Sequence, residues 1–119
     1  MKTASIAPAY AGLYPGLCEV AREHGYALAI HGSMANDMDL IAVPWTDEAV
    51  GADTLAYAMW ERVKWLRHKA PFPGEPEIRP HGRLAWFFPL LQAPPSEGRS
   101  GIDLSVMPLH RKEEGQSWP

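Results

Sequence analysis

Cysteine is nearly missing from this 119-residue chain: Cys18 stands alone, so no disulfide can close within it and no thiolate cluster can hold zinc. That usage fits a reducing compartment, and a cytoplasmic protein is expected. Long apolar runs are missing too. Nowhere do about 18 apolar residues run together, and the opening Met1-Lys2-Thr3-Ala4-Ser5-Ile6-Ala7-Pro8 has one lysine with no apolar stretch behind it, so neither a membrane span nor a signal peptide is expected. Positive charge is in short supply. Eleven Lys and Arg against 14 Asp and Glu leave a formal charge of -3, which provides no broad cationic field and argues against a protein that grips extended duplex DNA through its phosphates. No internal repeat of solenoid period is present.

Proline and glycine, by contrast, are plentiful. They concentrate in Pro71-Phe72-Pro73-Gly74-Glu75-Pro76 and Pro94-Pro95-Ser96-Glu97-Gly98, which read as loops between regular elements. Hydrophobic residues at 46% and charged residues at 21% are enough to fold one compact domain. We place that domain at 1-108 and a polar tail at 109-119.

Leu13, Leu17, Val20 and Ala21 recur at helical spacing within Tyr10 to His24, and Gly25 follows where a C-cap belongs. Pro15 is expected to delay the start of this helix until it occupies the first turn. Tyr26 to His31 reads as a strand buried on both faces and ending at Gly32, and Asp39 to Val43 as a second strand stopped by Pro44. Thr46-Asp47-Glu48 and Asp53-Thr54 offer N-caps to a helix in which Leu55, Met59, Val63, Leu66 and Ala70 form the apolar stripe. Arg83 to Phe88 and Ile102 to Val106 read as two further strands. The order helix, two strands, helix, two strands predicts an α/β (α+β) domain with a small mixed β-sheet flanked by two main helices.

Chemistry concentrates in His31-Gly32-Ser33-Met34-Ala35-Asn36-Asp37-Met38-Asp39-Leu40-Ile41. In a strand, side chains alternate faces, so Asp37 and Asp39 point one way while Met38 and Leu40 point into the core. Two carboxylates on one face suit magnesium, which takes hard oxygen ligands and leaves its other positions to water and phosphate. Asp103 stands on the polar side of a strand whose Ile102, Leu104 and Val106 are apolar, and so offers a third acid.

A strand ending in Gly-Ser, followed by Asp-hydrophobic-Asp-hydrophobic and a later acid, resembles the signature of the DNA polymerase beta-like nucleotidyltransferase superfamily. The resemblance implies Mg-dependent transfer of a nucleotidyl group from a nucleoside triphosphate to an acceptor hydroxyl. It assigns Asp37, Asp39 and Asp103 as ligands to Mg2+, up to two ions, with Asp103 on the side of the attacking hydroxyl. Gly32 and Ser33 would meet phosphate. The family has a short helix between the Gly-Ser and the first acid, where this chain has only Met34-Ala35-Asn36. A catalytically degenerate binding or regulatory module is therefore the alternative reading, and a metal-dependent nuclease a third. The acceptor is not written in the sequence. A chain this short leaves a homodimer or a protein partner as ways to complete the site.

Each residue also has a plainer reading. Asn36-Asp37 can form an Asx-turn in a hairpin, and His31 can be a histidine held by a backbone hydrogen bond. Arg79, His81 and Arg83 form a short basic stretch; Arg83 is assigned to the triphosphate, although a solvated strand entrance explains all three equally well. The helix dipole accounts for Lys64, Arg67, His68 and Lys69, and Trp60, Trp65, Trp86, Phe87 and Phe88 are expected in the core. Cys18, beside an apolar stripe, is expected to be a small buried residue.

Overall fold

A computed structural model describes residues 7–32, 37–64, 71–90 and 100–109. Within them lie two helices, α1 (Ala7–Glu23) and α2 (Ala52–Arg62), and five strands: β1 (Tyr26–His31), β2 (Asp37–Pro44), β3 (Glu77–Arg79), β4 (Arg83–Pro89) and β5 (Gly101–Val106). The strands form one mixed sheet in the order β1-β2-β5-β4-β3, in which only the β2–β5 pair is parallel. The expected α+β class with a small mixed sheet is what the chain forms.

Both helices lie on the same side of the sheet. Tyr10, Leu17, Val20 and Ala21 of α1 and Leu55, Ala56, Met59 and Trp60 of α2 share one core with Met38, Leu40 and Ala42 of β2, Ile102, Leu104 and Val106 of β5, and Trp86 and Phe88 of β4. These strand residues are alternate positions of a single sheet face. The other face carries Ala27, Ala29, His31, Asp37, Asp39, Asp103 and Arg79, and no described helix covers it. This corrects the expectation that β1 is buried on both faces: its exposure alternates, because one helical layer covers only one side.

Four boundaries depart from expectation. The first helix begins at Ala7 and holds Pro15 in its interior. Pro15 removes one backbone hydrogen bond, but the apolar stripe runs unbroken through it, and complete burial of Tyr10 holds the additional N-terminal turns in helical form. The second helix is capped by Gly51, without a side-chain cap, while Thr46 Oγ1 accepts a hydrogen bond from the Glu48 amide in the preceding turn. Leu66 and Ala70, expected at its far end, lie outside the described residues. Strand β2 starts two residues earlier than expected, so both Asp37 and Asp39 belong to it.

The fourth departure is β3, three residues between Pro76 and Pro80 that read as loop. It is an edge strand, pairing Glu77, Ile78 and Arg79 with Ala85, Leu84 and Arg83 of β4. Flanking prolines are tolerated there because the outer edge needs no ladder donors. A single 3-10 turn, Pro80–Gly82, closes the hairpin.

Gly25 is required twice over at the turn between α1 and β1. Its φ is +89°, and a β-carbon there would stand 2.6 Å from the Ala49 Cα. Its carbonyl accepts from the amide of Trp45, its amide donates to the Arg22 carbonyl, and the Tyr26 hydroxyl donates to the Val50 carbonyl, which ties the β2–α2 connection to this corner. At the other end of the core, the rings of Trp60, Phe72, Trp86 and Phe88 pack at tilted or edge-on angles with centroids 5.3–6.5 Å apart. Of the aromatics expected in the core, Trp60, Trp86 and Phe88 are there; Phe87 alternates onto the opposite sheet face, half-buried and paired with Asp103, and Trp65 lies outside the described residues. No described helix is long and apolar enough to cross a membrane.

Candidate functional site: a carboxylate row on the open sheet face

The parallel pairing of β2 with β5 places Asp39 directly opposite Asp103, and Asp37 opposite Gly101. Neighbouring strands are about 4.8 Å apart and alternate residues of one strand about 6.7 Å, so the three acids form a compact row. All three are on the open face, since Met38 and Leu40, the intervening residues of β2, are fully buried. β2 and β5 both start at this end of the sheet and β1 finishes there, with exposed His31 opposite Asp39.

Gly32 completes that end. Its φ is +83°, and a β-carbon built on it would stand 2.9 Å from Asp39 Oδ2. The turn after β1 thus brings bare backbone against the Asp39 carboxylate, an approach any larger residue would block. Ser33, the other half of the expected phosphate turn, lies outside the described residues, as do Met34, Ala35 and Asn36.

Beneath the row, Tyr10 of α1 is fully buried and its hydroxyl accepts a hydrogen bond from the Gly101 backbone. Burial raises the pKa of this phenol above its ordinary value, the Gly101 bond opposes the rise, and the nearby Asp37 carboxylate adds to it. The start of α1 is thereby anchored to the sheet end that carries the acids.

The cation that reaches the row comes from β3. Arg79 forks onto Asp103, Nη1 to Oδ1 at 3.2 Å and Nη2 to Oδ2 at 3.3 Å, and its Nη1 also donates to Ser105 Oγ at 3.4 Å. Its Nε donates to Glu77 Oε1 at 3.3 Å, so the guanidinium is held from both sides. To get there it crosses β4, where the residue paired with Ser105 is Ala85, too small to stand in the way. Ala85 and Ser105 are both buried although no described helix covers their face. The Asp103 and Arg79 side chains are 14% and 27% exposed, so the pair is screened less than a typical surface ion pair. Hydrogen bonding to Asp103 is the chief cause of the raised pKa of Arg79.

Arg83 is not brought to the acids. It sits at the opposite end of its strand, paired with Arg79, and its Nε donates to the Pro80 carbonyl within the hairpin. Sequence reasoning weighed the two arginines alike and chose Arg83; only Arg79 faces across the sheet to β5. Among the described residues, no group of three or more His, Cys, Asp or Glu side chains is placed to hold a metal ion. The three acids share a face and an end of the sheet, and both oxygens of Asp103 are turned to the guanidinium.

Electrostatics define what the row can do. Like charges side by side across a ladder repel, and Asp39 beside Asp103 is such a pair. Arg79 offsets one of three carboxylates, which leaves the face anionic. The donors are all hard oxygens, the type that divalent magnesium takes, and Arg79 already takes both oxygens of one of the three carboxylates. Away from the row, Cys18 is half-buried and lines a groove of about 300 Å³ with Arg22, Tyr26 and Trp45.

The chain matches no protein-family model, no curated protein and no solved structure.

Proposed function

We propose that this protein is a nucleotidyltransferase, transferring a nucleotidyl group from a nucleoside triphosphate to an acceptor hydroxyl with magnesium as the cofactor. One observation carries the reading: Asp103 stands in register beside Asp39, on the face shared with Asp37 and at the sheet end where Gly32 turns. A triphosphate is itself polyanionic and is repelled by a row of carboxylates unless cations lie between them. Magnesium on Asp37, Asp39 and Asp103 would supply that charge and polarise the phosphoryl oxygens.

The chain's own groups do the rest. Gly32 lets the phosphates approach its backbone closely, as no side chain stands there. Asp103, at the side of the row, orients the acceptor hydroxyl and takes its proton as the oxygen bonds to the α-phosphorus. The bond from that phosphorus to the bridging oxygen breaks, and pyrophosphate leaves.

Thermal melting with each nucleoside triphosphate tests the reading. At a hundredfold excess over Kd, binding stabilises by about 2.7 kcal/mol, several degrees in Tm for a domain of this size, and the rise must require magnesium. Asp39→Asn must abolish both the rise and nucleotidyl transfer while the variant still folds. No rise with any of the four nucleotides in the presence of magnesium sinks the proposal.

The fork of Arg79 on Asp103 favours a second reading, a nucleotidyltransferase-like fold that binds a nucleotide or protein partner without turning over. Nucleotide binding with no pyrophosphate released at any enzyme concentration selects it.

A further inference from the structure

We infer that Arg79 is the built-in counter-cation of Asp103, and that a divalent ion binding the carboxylate row must displace it. The inference rests on the nucleotidyltransferase reading and concerns how its metal site is loaded.

Three features of Arg79 set it apart from an incidental surface partner. Its two terminal nitrogens take both oxygens of a carboxylate that is 14% exposed, in the fork geometry that makes such pairs specific. It arrives from the far edge of the sheet, crossing a whole strand, and the path is kept clear by Ala85. It is steadied at the other end by Glu77, whose side chain is 70% exposed. A second partner in solvent gives the guanidinium somewhere to go when it leaves Asp103.

The positions of the acids supply the reason for a counter-cation. Asp39 and Asp103 are adjacent in register, and without a positive group between or beside them their repulsion works against the β2–β5 pairing. Arg79 relieves it while turning Asp103 toward β3. A metal bridging Asp39 and Asp103 relieves the same repulsion from the other side. The two cations therefore compete for one carboxylate, because Arg79 takes both oxygens that a metal would need. Once released, the guanidinium lies beside the row, where an anionic phosphate is its natural partner.

Mn2+ binding to the full chain, followed by calorimetry and by the loss of the free-ion electron paramagnetic resonance signal, tests this without reference to activity. Arg79→Gln should bind Mn2+ about tenfold more tightly than wild type in the absence of nucleotide, since a competitor of roughly that strength is gone. Arg79→Lys retains a cation but not the fork and should gain about threefold, and it serves as the test if the glutamine variant does not melt cooperatively. Equal or weaker Mn2+ binding by the variants, with wild type binding normally, overturns the role of Arg79 and leaves the nucleotidyltransferase reading standing. No Mn2+ binding by wild type or either variant, with or without ATP, overturns both.

Discussion

Gly32 and Gly74 provide a matched pair of substitutions that separates backbone strain from the special position of Gly32. The two residues have nearly the same φ, +83° and +85°. Replacing either by alanine forces a β-carbon into the left-handed region, which costs roughly 1–2 kcal/mol, reduced by the entropy that alanine removes from the unfolded chain, for a net loss of about 1 kcal/mol. The surroundings differ. At Gly74 a β-carbon meets no atom within 4 Å among the described residues, whereas at Gly32 it stands 2.9 Å from Asp39 Oδ2. The carboxylate is the end of a side chain and can yield, so the collision adds little to the folding cost and instead moves Asp39 off the row. Urea unfolding should therefore give similar losses for Gly32→Ala and Gly74→Ala, each lowering Tm by about 4 °C. Binding of Mn2+ and ATP should fall at least tenfold in Gly32→Ala and stay at the wild-type level in Gly74→Ala. Unaltered binding in Gly32→Ala refutes the claim that bare backbone beside Asp39 is a working part of the site.

Three further outcomes follow from the packing. Pro15 is exposed in the interior of α1, so Pro15→Ala restores a backbone hydrogen bond without opening a cavity and should stabilise the fold by about 1–2 kcal/mol; a lower urea midpoint contradicts the account of α1. Trp60 is 1% exposed and its ring packs against Phe72 and Phe88, so Trp60→Ala should cost about 3–5 kcal/mol, a large part of the stability of a domain this size. The pKa of Tyr10 is raised in the folded state, so its contribution is fully present below the ordinary phenol value of 10.0 and is lost as pH rises through the folded value. The stability difference between wild type and Tyr10→Phe, from urea midpoints, should shrink above pH 10; a constant difference removes Tyr10 as the cause.

Much of this fold was legible because it is written in local periodicity. The stripe of α1 and the alternation of β2 and β5 each follow from neighbouring residues, and so does the fact that Asp37 and Asp39 point the same way. Pro15 misled because a helix-breaking preference is local, whereas the burial of Tyr10 that overrides it is tertiary. β3 was missed because three residues between prolines, with a single apolar one at Ile78, are too few to carry a periodicity; the strand exists only because β4 offers it an edge.

The candidate site divides along the same line. Sequence alone determined that Asp37, Asp39 and Asp103 lie on polar strand faces, since side-chain alternation sets which way each points. The tertiary structure decided that β5 lies parallel beside β2 with Asp103 opposite Asp39, that both described helices pack on the other face, and that Arg79 and not Arg83 reaches the acids. Strand order and register depend on which apolar faces bury together across the whole chain, and no local pattern specifies a contact between residues so far apart in sequence.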